Sequence, residues 1–128
     1  MKQKNFSNKL MKKVKNFRIG IDVGGTKIAG VLVDEKNKVI EEIVLATPKD
    51  SLEHFLIMIS AAIDPLIKQI SLNKVELKGI GIGAPGVIDY EKKQVVMAPN
   101  LSLLNKTKLA ELVAKQINQP EILCLLDN

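Results

Sequence analysis

Residues 19–27, Ile-Gly-Ile-Asp-Val-Gly-Gly-Thr-Lys, constrain this chain more than any other stretch. An apolar run with strand character carries Asp22 near its end, and Gly24-Gly25 then turns the chain. A carboxylate in a buried strand is costly unless a cation or hydrogen-bond donors meet it. The glycines permit positive φ, so successive backbone amides can point into one concavity, which suits anionic phosphate oxygens. Thr26 adds a hydroxyl and Lys27 a mobile positive charge. Asp22 is then placed to hold Mg²⁺ through water, because Mg²⁺ takes oxygen ligands and retains waters. A plain hairpin with a turn-stabilising Asp fits the same residues, and at this level both readings stand.

The flanking pattern predicts what surrounds that turn. A β-like run starts at Phe17, a second covers Ile28 to Val33 and a third Val39 to Ala46. Short connections, among them the charged turn of residues 34–38, predict an antiparallel three-stranded meander. Asp50, three residues before Glu53, reads as a helix N-cap with its capping-box partner. Apolar residues from Leu52 to Ile70 then recur at helical spacing, with His54 beside the stripe as a solvated or capping residue. Pro65 lies inside this pattern and is expected to kink or restart the helix.

Gly79 to Ile82 reads as a buried strand and Gly83 to Gly86 as a turn. Val87–Tyr90 and Gln94–Met97 flank Glu91-Lys92-Lys93 as a small hairpin. Thr107 is expected to cap a second helix through about Ile117. Ile122 to Leu126 is apolar throughout, as a strand buried on both sides must be. The order βββαβ(hairpin)αβ predicts an α/β fold with a mixed sheet.

Composition excludes several function classes. Of the 19 basic residues, seven fall within residues 1–18 beside no acid, and the remaining 12 face 14 acids. The net charge of +5 therefore belongs to a basic, solvated tail over residues 1–16, not to the domain that follows, and nucleic acid is not an expected partner. Aromatics at 3% argue against a reader built on stacked rings. One cysteine, Cys124, excludes an internal disulfide and is expected to be an inert core thiol. No secretory leader is read at the N-terminus, and no apolar run approaches the ~18 residues of a membrane span. Gly81-x-Gly83-x-x-Gly86 matches a dinucleotide fingerprint in letters only, since a hairpin and not a helix follows it. Gly24-Gly25-Thr26-Lys27 lacks the spacing and order of a Walker A loop.

Four segments, in order, resemble the motifs of the ROK family of bacterial glucokinases, other sugar kinases and sugar-responsive repressors. Ile19 to Ile28 resembles the family's first phosphate motif, and Gly79 to Asp89 its second glycine motif. Ala98-Pro-Asn-Leu101 resembles its sugar-side segment, and Leu126-Asp-Asn128 the start of its Asp/Glu-Asn-Asp catalytic motif. The resemblance implies an actin-like, ribonuclease-H-like ATPase domain and ATP-dependent phosphorylation of a sugar hydroxyl. It places Asp22 at the Mg²⁺–phosphate site and Gly24, Gly25, Thr26 and Lys27 in the phosphate turn. Gly83, Ala84, Pro85 and Gly86 would form the floor of the sugar pocket, Asn100 would line it, and Asn128 would hydrogen-bond a sugar hydroxyl.

The family's general base is the Asp directly after that Asn, so no catalytic base is expected within these 128 residues. Asp127 occupies the acidic position that precedes the Asn and does not inherit the role. The Trp that family members often carry after Asn-Leu is replaced by Ser102-Leu-Leu-Asn-Lys106, which bears on glucose specificity. Residues 17–128 are thus expected to be the N-terminal domain of a cytoplasmic, homodimeric sugar kinase. The C-terminal domain, with its adenine pocket and the zinc site of many members, would lie outside them. The chain alone is expected to be inactive, since a kinase closes two domains over its substrates. The alternatives are a transcriptional regulator of the same family and a non-catalytic kinase remnant.

Overall fold

The computed structural model describes residues 15–120 and 124–128. Most of the predicted tail, and Ile122 and Leu123 of the last predicted strand, lie outside the described residues. Strands β1 (Asn16–Val23), β2 (Lys27–Val33) and β3 (Val39–Ala46) form the expected antiparallel meander. Helix α1 (Leu52–Leu72) leads to β4 (Glu76–Gly83), which pairs parallel with β1. A separate hairpin of β5 (Val87–Asp89) and β6 (Gln94–Met97) follows, then a 3₁₀ turn (Ser102–Leu104) and helix α2 (Leu109–Gln116). Strand β7 (Cys124–Asp127) pairs parallel with β4 and completes a mixed sheet in the order β3-β2-β1-β4-β7.

Strand alternation decides which side chains meet the helices. In β1, Phe17, Ile19, Ile21 and Val23 are buried, whereas Arg18 and Asp22 on the other face are exposed. Ile28 and Leu32 of β2, and Ile80 and Ile82 of β4, extend the buried face. Helix α1 contributes Phe55, Ile59, Ala62, Ile63, Leu66 and Ile70 to the same core, and α2 contributes Leu109 and Val113. The helix sits close to the sheet over Gly30, where an added Cβ would lie 3.2 Å from the Ala62 carbonyl oxygen and 3.4 Å from Leu66 Cδ1.

Several local expectations are corrected. Ser51, not Asp50, caps α1: its Oγ accepts the His54 amide at 3.1 Å. Asp50 instead reaches the His54 ring, Oδ1 to Nδ1, at 2.8 Å. Helix α1 continues through Pro65 without restarting, because the buried residues on either side, Ile63 and Leu66, anchor both turns to the sheet. Lys108, not Thr107, stands at the N-cap of α2; the Thr107 hydroxyl donates back to the Leu104 carbonyl at 2.7 Å.

Strand β7 is buried on one side only. Cys124 is buried but Leu125 is 70% exposed, because α1 and α2 cover just one face of the sheet. Helix α1 has the length and average apolar content of a membrane span, although Ser60, Asp64, Lys68 and Gln69 interrupt its apolar residues. Its apolar face is nevertheless taken up by the sheet.

Phe55 is a fully buried aromatic at the helix–sheet contact. Phe55→Ala is expected to cost about 3–5 kcal/mol, measured by urea denaturation.

Candidate functional site

The parallel register brings the ends of three strands together. Asp22 of β1 is opposite Gly83 of β4, and Gly83 is opposite Asp127 of β7. Ligands of open α/β sheets bind in the crevice outside such carboxyl ends. Both glycine segments singled out from the sequence emerge here, one after β1 and one after β4.

The first segment is a pinned turn, in which neither Gly24 nor Gly25 takes the positive φ that the sequence permits; Gly86 does. The Gly24 amide donates to the Lys27 carbonyl at 2.8 Å, and an added Cβ at Gly24 would sit 3.0 Å from that same oxygen. Thr47, buried just beyond β3, fastens the turn from the side. Its hydroxyl donates to the Gly24 carbonyl at 2.8 Å and its amide to the Thr26 carbonyl at 2.9 Å. Thr47 was not legible as a site residue; its only signal was its place after β3, whose Ala46 pairs with Lys27. Thr26 and Lys27 are exposed, so hydroxyl and ammonium are open to solvent.

Asp22 is exposed rather than buried, a correction whose cause is β-alternation: Ile21 and Val23 face the helices and Asp22 faces away. Among the described residues no cation lies within ion-pair distance of it. The absent Cβ of Gly83 leaves room beside its carboxylate, Oδ1 lying 4.0 Å from that position. An exposed, unneutralised carboxylate beside an open turn suits a hydrated Mg²⁺. Among the described residues no cluster of three His, Cys, Asp or Glu side chains could enclose a metal. An ion here would therefore take its other ligands from water and phosphate, as Mg²⁺ commonly does.

The second segment is fixed to β7. The Ala84 amide donates to the Asp127 carbonyl at 2.8 Å, and the Asn128 Nδ2 donates to the Gly86 carbonyl at 3.1 Å. Gly86 has φ +91°, and an added Cβ would fall 2.0 Å from the Met97 carbonyl oxygen. Ala84 is buried and enters the site through its backbone; Pro85 is half-buried. Asn100 comes up to the Gly24–Lys27 turn, its Cβ and carbonyl oxygen each 3.6 Å from the Cβ position of Gly25. With Lys49 it also lines a small cavity of ≈ 110 Å³. The structure thus groups Asn100 with that turn, and groups Gly86 with Asn128.

Tyr90 is a further residue that the sequence did not mark. Its hydroxyl donates to Asp127 Oδ1 at 2.7 Å, with a longer contact of 3.3 Å to Asn128 Oδ1. That hydrogen bond, with a second from the Asn128 amide at 2.8 Å, holds the Asp127 carboxyl below the usual range. The same contact raises the Tyr90 phenol. Stabilisation through Asp127 is accordingly present above the ordinary carboxylate pKa and is lost as pH falls through the lowered one.

The sequence model of the ROK family matches residues 18–124. The chain is 29% identical over 106 residues to a glucokinase from Streptomyces coelicolor, covering 81% of this chain and 31% of that protein. It is 33% identical over 103 residues to a xylose repressor from Caldicellulosiruptor bescii, covering 80% and 26%. A ROK family glucokinase from Streptomyces griseus, solved with glucose and AMPPNP, superposes with a TM-score of 0.73 at 29% identity, over 88% of this chain and 33% of that one. The fold is therefore the actin-like one of these sugar kinases, and the chain spans about a third of the length of the relatives it matches.

Thr47→Val is expected to lower stability by about 1 kcal/mol in thermal denaturation, the usual worth of one hydrogen bond, with Thr47→Ser retaining most of it. Gly86→Ala is expected to cost at least about 1–3 kcal/mol in the same measurement, because both its φ and its Cβ contact are strained.

Proposed function

The chain belongs to the ROK family, and on that premise we propose that it is the N-terminal part of an ATP-dependent, glucokinase-like kinase acting on a hexose hydroxyl. The observation that carries this reading is the shared register of Asp22, Gly83 and Asp127. It supports the reading by bringing the turn of residues 24–27 and the segment of residues 83–86 to one end of one sheet.

In this reading the Gly25 amide, the Thr26 hydroxyl and the Lys27 ammonium receive the ATP phosphates, while Gly24, whose amide is spent on the Lys27 carbonyl, shapes the turn that presents them. Asp22 holds the hydrated Mg²⁺, which when bound neutralises charge on the transferring phosphoryl group. Gly83 to Gly86 form the floor under the sugar, and Asn128 offers its amide to a sugar hydroxyl. Asn100, beside Gly25, sits where sugar and phosphate would meet. The general base, which takes the proton of the attacking hydroxyl, is assigned to the residue following Asn128. The single cysteine suits a reducing cytoplasm. Homodimerisation is part of the same reading.

The xylose-repressor relative favours a second reading, a sugar-sensing regulator on the same scaffold. It predicts sugar binding without turnover.

The deciding experiment is a coupled ADP-release assay on the complete protein against glucose, mannose, fructose, allose and N-acetylmannosamine. Sugar-dependent ADP release is expected; sugar binding without it would favour the regulator. Asp22→Asn is expected to lower kcat/KM for Mg-ATP about 100-fold, since a bound metal supplies several kcal/mol of charge stabilisation. Asn128→Ala is expected to raise the sugar KM about tenfold, one hydrogen bond of about 1–1.5 kcal/mol. An unchanged sugar KM would displace the sugar site from Asn128.

A further inference from the structure

We infer that Tyr90 is the positioning residue of the sugar-binding segment, holding Asp127 and, through it, the backbone of Asn128, whose side-chain amide the Gly86 carbonyl orients. The inference rests on the kinase reading and adds to it a residue from a different element, the β5–β6 hairpin.

The argument begins with the hairpin. Asp89 Oδ1 accepts the Lys92 amide at 3.0 Å, which closes the turn in which Tyr90 stands. Tyr90 is 58% exposed, so its ring adds little to the core. Its hydroxyl nevertheless reaches across 37 residues of sequence to the end of β7. A long exposed side chain held at one point gives up rotamer freedom, and the charged acceptor makes this hydrogen bond stronger than a neutral one.

The bond acts on Asn128 through two contacts. A phenol has one proton, and the 2.7 Å approach to the Asp127 carboxylate takes it, leaving the 3.3 Å contact to Asn128 Oδ1 as a weaker branch. Asp127 Oδ1 also accepts the Asn128 backbone amide at 2.8 Å, so fixing the carboxylate fixes the backbone that carries Asn128. On its other side the Asn128 side chain meets the Gly86 carbonyl, which can only accept. The Gly86 carbonyl therefore takes the Nδ2, which leaves the Oδ1 on the side of Tyr90.

This orientation limits what a ligand can find. Of two N–H groups and two lone pairs, the amide spends one N–H on Gly86 and turns Oδ1 towards the phenol. One N–H and at least one lone pair stay open, which matches a hydroxyl that both accepts and donates. Without the phenol the carboxylate keeps only the Asn128 backbone amide and the side-chain amide only the Gly86 carbonyl, so the sugar must order the less tightly held pair on binding.

The test is Tyr90→Phe, which keeps the ring and removes only the oxygen. In the complete protein the sugar KM is expected to rise about tenfold, the cost of reordering on binding a group that the phenol otherwise holds. The Mg-ATP KM is expected to stay unchanged and the melting temperature to fall by only a few degrees. In a ¹³C NMR titration the Asp127 carboxyl is expected to move up toward the ordinary carboxylate range, which a merely structural role for the ring would not produce. An active protein in which Tyr90→Phe leaves the sugar KM unchanged, or in which Asp127 titrates as before, overturns the inference and leaves the kinase reading standing. A wild-type protein that turns over no sugar in the panel overturns the kinase reading, and the sugar role of Tyr90 with it.

Discussion

Parallel pairing of β1 with β4, and of β4 with β7, is the constraint on which the rest of the structure depends. A strand has a side-chain period of two, so a slip of one residue would exchange its faces. Asp22 would then enter the core, and Ile21 and Val23 would lose their contact with the helices. The apolar face of α1 prevents that slip, because Phe55, Ile59, Ile63 and Leu66 need Ile19, Ile21, Ile80 and Ile82 on their side. Hydrophobic burial on one face thereby sets the positions of polar groups at the strand ends, where no apolar contact reaches.

The two glycine segments use that register in different ways. Residues 24–27 form a turn with no room for a side chain at Gly24, and the turn is held by Thr47 from a neighbouring connection. A buried threonine outside the motif thus fixes the motif's backbone. Residues 83–86 are tied to β7 instead, through the Ala84 amide and the Gly86 carbonyl. The hairpin that follows is then brought close enough for Tyr90 to meet Asp127. A segment of backbone, a carboxylate, an amide and a phenol thus form one hydrogen-bonded unit, though residues 86, 90, 127 and 128 come from three elements.

Much of this was legible before the structure. The meander, the β5–β6 hairpin and the mixed sheet followed from apolar periodicity and turn residues, and the site motifs from their order along the chain. The misread positions share a cause. The capping residue of α1 was placed one position early because Asp50 and Ser51 are both good caps, and only the path of the chain selects Ser51. Thr107 has cap chemistry but spends its hydroxyl on Leu104. Leu125 is as apolar as its neighbours, yet stands on the sheet face that neither helix covers. In each case local chemistry allowed two outcomes and packing chose between them.

By itself, the sequence determined the strands, the helices, the glycine turns and the family to which they belong. These depend on residue type and on spacing within a few positions. Tertiary structure alone decided that Asp22 is exposed, that Thr47 pins the turn of residues 24–27, that Asn100 lies beside Gly25, and that Tyr90 reaches Asp127 and Asn128. The reason is physical: a hydrogen bond depends on distance and angle, and between residues tens of positions apart both are set by how helices and strands pack, a quantity that no local pattern carries.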